Sequence, residues 1–80
     1  MVFYVALPFI PVEEGGLAPG PAVECRNAAA AICRAEAMAR HERYVGAVAF
    51  SRRGNPDAGE YDDAEILRAF GEVPDDFGRA

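Results

Sequence analysis

Apolar residues fall along this chain in two kinds of pattern. Residues 2–10 (VFYVALPFI) and 44–51 (YVGAVAFS) are nearly unbroken apolar runs, rich in β-branched and aromatic side chains, and predict strands. Between them Ala28, Ala31, Ile32, Ala35, Met38 and Ala39 recur at i, i+3, i+4, i+7 spacing, which is one stripe of an amphipathic helix. Asn27 stands where a side-chain oxygen can accept from the free N–H groups of a first helical turn. A helix is therefore predicted over residues 28–41. Arg34, Glu36, Arg40 and His41 lie largely off the stripe, and Glu36 with Arg40 forms an i, i+4 ion pair worth about 0.3 kcal/mol. The stripe is mostly methyl groups, so the helix should lie close against its support.

The segments between these blocks carry turn chemistry. Residues 11–21 (PVEEGGLAPGP) contain Gly15-Gly16 and Pro19-Gly20. Pro8 cannot donate to a ladder, so the first strand either lacks a neighbour on that side or ends early. Residues 22–26 (AVECR) read as a short second strand or as the start of the helix, since Pro21 suits a first helical turn. Residues 52–59 (RRGNPDAG) read as a loop, with Asn55, Pro56 and Asp57 as turn formers. Residues 60–70 (EYDDAEILRAF) admit a short helix capped by Asp63 or the return strand of a hairpin. The hairpin is preferred, because an apolar strand followed by a Gly/Pro/Asp loop commonly returns. Residues 74–80 are expected to be a polar tail that frays.

These elements give the order ββαββ: an α+β fold with a small antiparallel sheet of three to four strands and one Ala-rich helix on one face. Residues 1–73 are expected to form a single domain, with the tail at 74–80. Both long strands are apolar on both sides. Phe3, Val5, Leu7 and Phe9 oppose Val2, Tyr4, Ala6 and Ile10, while Tyr44, Val48 and Phe50 oppose Val45, Ala47 and Ala49. A sheet with one wet face alternates apolar and polar residues, and this one does not. One helix covers one face, so something else must cover the other. A second copy packed sheet to sheet is the preferred answer, and wrapping by Leu17, Val73 and Phe77 is the other.

The segments FYVAL, AVECRNAAAAICRAEAM and GAVAFSR resemble a loose group of short, functionally uncharacterised bacterial proteins. These share an opening strand, a Gly-containing turn, a short strand ending in Cys, an Ala-rich helix and a final pair of strands. The resemblance covers most of the chain and implies a fold rather than a chemistry.

Composition narrows the reading further. Eighty residues leave room for one domain, which buries only about 60% of the surface its unfolded chain exposes. Half the residues are apolar and a quarter charged, which is globular rather than disordered. The bases are all Arg, with no Lys, Thr, Gln or Trp, which reads as the codon bias of a GC-rich bacterial genome. The net charge of −5 argues against general binding to a phosphate backbone, so no nucleic acid is expected. Charge is uneven: between Arg26 and Arg53 six arginines outweigh Glu36 and Glu42 to give +4, and the remainder carries −9. The start lacks a basic n-region and a long apolar core, and no run approaches the roughly 20 residues that span a bilayer. The expected location is cytoplasmic, away from membranes, with Cys25 and Cys33 reduced.

Candidate chemistry is sparse, and no cofactor or metal is expected. Cys25 and Cys33, eight residues apart, have only His41 to help them, whereas a zinc site needs about four ligands at local spacing. They read instead as a small buried hydrophobe and a half-exposed helix residue. His41, the sole histidine, suits the helix C-terminus, and Ser51, the sole serine, is not in a nucleophile elbow. Asn55, Asp57, Gly59, Glu60, Asp62 and Asp63 resemble a calcium loop only in alternating oxygens, since Ile66 stands where the bidentate Glu belongs. The glycine pairs lack the spacing of a phosphate loop.

Arg34, Arg40, Arg43, Arg52 and Arg53 are the candidate interaction surface, with a solvated, neutralised face as the plainer reading. The expected function is a non-enzymatic interaction module working as a homodimer. One alternative is an antitoxin-like or adaptor protein on a larger protein partner, by analogy at fold level. The other is a ligand binder or enzyme with Tyr44, Tyr61, His41 and the acids of 57–63 at a dimer seam.

Overall fold

The computed structural model describes residues 1–55 and 57–74, and for Tyr61 the backbone alone. Its two long strands, β1 (Val2–Pro11) and β4 (Gly46–Asn55), lie side by side and antiparallel, from Val2 opposite Arg53 to Phe9 opposite Gly46. Two short strands share the outer side of β1. β2 (Leu17–Pro19) pairs with Phe9, Ile10 and Pro11, and β3 (Val23–Cys25) pairs with Tyr4, Val5 and Ala6. On the outer side of β4 lie β5 (Glu60–Tyr61) and β6 (Glu65–Gly71). Among the described residues the sheet is thus four strands wide and wholly antiparallel, and the single helix α1 (Ala28–Ala39) packs on one face of it. The expected class and order hold, with β2 and β5 added as short pieces at the edges.

Pro8 shows why β1 runs through a proline. Its carbonyl accepts from the Gly20 N–H at 2.8 Å, so its backbone polar groups point to the β2–β3 side. Phe9 points the other way, its carbonyl accepting from Val45 N–H at 3.0 Å. The donor that proline lacks therefore falls where the edge passes from β3 to β2, between the pairs at Ala6 and Phe9. The two expectations for Pro8 resolve as a missing neighbour, not an early end.

One open alternative resolves, and the later boundaries of the helix and of β4 differ from those expected. Residues 22–26 contribute a strand, and the helix begins after Asn27, whose Oδ1 accepts from Ala30 N–H at 2.8 Å. The helix ends at Ala39 rather than His41, the Arg40 N–H closing onto the Ala37 carbonyl at 3.3 Å and the His41 N–H onto that of Met38 at 3.0 Å. β4 continues through Arg52 to Asn55, which the polar composition had marked as loop. The chain's first residues hold it there: Phe3 and Val2 pair with Arg52 and Arg53, and Gly54 N–H donates to the Met1 carbonyl at 2.9 Å. The turn proper starts at Asn55, where Oδ1 accepts from Asp57 N–H at 3.2 Å and the carbonyl from Ala58 N–H at 3.1 Å. Residues 65–71 are strand, as preferred.

Helix and sheet meet through methyl groups. Ala31 and Ala35 are buried against Ala6, Ala47 and Ala49, with Tyr4, Cys25, Ile32, Met38, Ala39, Leu67 and Phe70 packed around them. The predicted stripe is thus the face that meets the sheet, and Arg34, Glu36 and Arg40 are exposed on the other side. Leu67 joins this layer through a bulge: β6 pairs Arg68 with Ala49 but Ile66 with Phe50, so Leu67 is the extra residue. Gly46 and Gly71 sit opposite each other at the far end. A Cβ at Gly46 would overlap the Glu72 backbone, and Gly71 takes a φ of +67° that disfavours other residues.

Candidate functional site

Alternation puts Phe3, Val5, Leu7 and Phe9 of β1 on the face away from the helix, with Val48 and Phe50 of β4 and Ile66 of β6. Cross-strand registry gives the layout. Glu24, Val5, Phe50 and Ile66 lie in one row across the sheet, Leu7, Val48 and Ala69 in the next, and Phe3 faces Arg52 on the other side. Phe9 and Val48 are closed off from solvent at one end of this face. Toward the other end Phe3, Val5, Leu7 and Phe50 are half-buried, and Ile66 is 42% exposed.

A shallow open groove of about 400 Å3 runs along that end, lined by Phe3, Val5, Ala22, Glu24, Phe50 and Arg52. Its floor and walls are apolar. Its two charges stand on opposite sides of β1, Glu24 on β3 and Arg52 on β4. Both are exposed, and neither has an ion-pair partner among the described residues. Of the three residues named for wrapping this face, Phe77 lies outside the described residues, and Leu17 and Val73 are half-buried.

The five arginines do not share one surface. Arg52 and Arg53 are consecutive in a strand and so point to opposite faces. Arg52 lines the groove just described. Arg53 lines a cleft on the helix side with Val2, Tyr4, Ser51, Asp62, Asp63 and Glu65. Arg34 borders a third hollow, with Val23, Met38, His41 and Tyr44, near the end of the helix. Arg40 lies 3.6 Å from Glu36, a pair 79% and 52% exposed and therefore weak. Arg43 follows the helix in an exposed turn and donates its N–H to His41 Nδ1 at 3.2 Å.

The residues considered for an enzymatic seam also separate. The His41 and Tyr44 rings meet at a tilt, 5.5 Å between centres, beyond the helix C-terminus, whereas Asp62 and Asp63 border the cleft that Ala28 closes at its N-terminus. A helix of twelve residues puts roughly 18 Å between those ends. Asp57 and Glu60 are exposed in the β4–β5 turn, and the Tyr61 side chain lies outside the described part. Tyr44 precedes β4, so it does not join Val48 and Phe50 on the far face. It stands beside Pro8 and Gly20 over the helix side instead. Cys25 is half-buried against the core, and Cys33 is exposed on the helix.

What the sequence did not single out is the groove as a place. Ala22 and Glu24 carried no signal until β3 paired with β1 and set them across from Phe50 and Arg52. The fold and groove define a small α+β protein with an apolar sheet face bordered by opposite charges. No known protein family, curated protein or solved structure matches the chain. Among the described residues no helix is long and apolar enough to cross a membrane.

Proposed function

We propose that this chain is a non-enzymatic interaction module that works as a homodimer through the sheet face opposite the helix. One observation carries the reading: an apolar surface from Phe3 to Ile66, built by three neighbouring strands, with the only helix among the described residues on the other side. Aromatic and aliphatic side chains in one continuous patch are the composition of an interface core. Two such sheets packed face to face interdigitate about 10 Å apart, and a two-fold axis lets one surface serve both partners. The proposed compartment is the cytoplasm, where Cys25 and Cys33 remain the free thiols they are here.

Molar mass by size exclusion with light scattering, across a hundredfold concentration range, tests this. The expected result is twice the 8.6 kDa chain mass at the upper concentrations. A mass of one chain throughout would overturn it. A second reading is an adaptor or antitoxin-like protein for a basic protein partner. It draws on the cleft where Asp62, Asp63 and Glu65 gather. A monomer that co-purifies from native lysate with a basic protein would favour that reading over the first.

A further inference from the structure

We infer that the groove of Phe3, Val5, Ala22, Glu24, Phe50 and Arg52 is a self-complementary dock, completed by Arg52 and Phe50 of a second copy. This rests on the homodimer reading and adds its register. The groove is unlike on the two sides of β1. On the β4 side stand a large residue, Phe50, and a cation, Arg52. On the β3 side stand a small residue, Ala22, and an anion, Glu24. Registry fixes their spacing: Arg52 is level with Phe3 and Glu24 with Val5, while Phe50 is level with Val5 and Ala22 lies one residue beyond Val23, which is level with Ala6. Each large-to-small and plus-to-minus pair is therefore offset along β1 in the same direction by the same two residues.

A two-fold axis lying between two facing sheets, close to the direction of β1, exchanges the β3 side of one copy with the β4 side of the other. It brings the partner's Phe50 toward the gap above Ala22 and the partner's Arg52 toward Glu24, and symmetry repeats both contacts. Strands of packed sheets cross at about 30°, and the tilt of the axis that goes with this crossing takes up part of the offset. Glu24 and Arg52 are the two charges of the groove, both exposed and without ion-pair partners among the described residues. The dock uses both.

Charge exchange tests the register with the full chain. Sedimentation equilibrium should show Glu24→Arg and Arg52→Glu each weakening dimerisation about tenfold, because symmetry counts each unfavourable pair twice. The double variant should return to within about threefold of the original, and the original should weaken with salt. Ala22 is exposed ahead of β3, so Ala22→Trp should leave circular dichroism unchanged while filling the groove and abolishing the dimer. A dimer that ignores both single charge changes and Ala22→Trp would overturn this dock and leave the homodimer reading standing. A protein that is monomeric at every concentration would overturn both.

Discussion

At the scale of single residues, the positions that matter most have no room. Gly46 faces Gly71 where β6 turns away, and the Glu72 backbone occupies the volume that a Cβ on Gly46 would need. Backbone cannot rotate aside as a side chain does. Gly46→Ala should therefore lower stability by about 1–3 kcal/mol, the usual range for overpacking. A urea midpoint equal to that of the parent protein would show that the β6 end yields freely. Asn27 acts by a bond instead of by space. Its Oδ1 holds the Ala30 N–H, so Asn27→Ala should cost about 1 kcal/mol. In a domain this small that is a fall of roughly 4–8 °C in melting temperature. An unchanged melting curve would mean that water serves the first turn equally well. The cap was legible in the sequence because its chemistry is local. The Gly46–Gly71 contact was not, since two glycines 25 residues apart reveal nothing until the strands are paired.

At the scale of elements, the helix was the most legible part of the chain. Six apolar positions at helical spacing define a face by themselves, and that face is the one that meets the sheet. The pairing at Ala31 and Ala35 brings methyl against the methyls of Ala6, Ala47 and Ala49, so helix and sheet approach closely with nothing large to rearrange. Ala35→Leu is expected to cost about 1–3 kcal/mol by forcing the helix outward. Cys33→Ala, on the exposed side of the same helix, should stay within about 0.5 kcal/mol. Equal effects of the two in denaturant unfolding would contradict the close seam.

Strand ends were less legible, for a physical reason. Arg52, Arg53 and Gly54 have loop composition, but they are strand because Met1, Val2 and Phe3 reach alongside to bond them. Propensity describes a residue's own backbone, whereas a ladder belongs to two segments. The same difference explains the arginines. Read along the chain they make one basic stretch. Strand alternation then sends Arg52 and Arg53 to opposite faces, and the helix carries Arg34 to a third place. At the edge of the sheet, the bulge at Leu67 and the charges of Glu65 and Arg68 are features that discourage β6 from pairing with another strand. This agrees with the proposal that association uses the apolar face and not the β6 edge.

For the whole molecule, the doubly apolar strands were the feature with consequence. One layer of helix satisfies one side of the sheet, and the far side divides into an end where Phe9 and Val48 are closed off and an end that opens as a groove. If that groove is where two copies meet, the native state gains stability from association, and mass action then ties melting to concentration. The melting temperature should rise by several degrees across a hundredfold increase in protein, since each tenfold step is worth about 1.4 kcal/mol of association free energy. Ala22→Trp separates this effect from intrinsic stability. The variant should melt where the dilute parent melts and should stay there as concentration increases, because its core is untouched and only the dock is filled. A parent melting temperature that is flat with concentration would mean that association adds nothing to the fold, and cover of the far face by the chain itself, the other cover expected, would then be the reading to test.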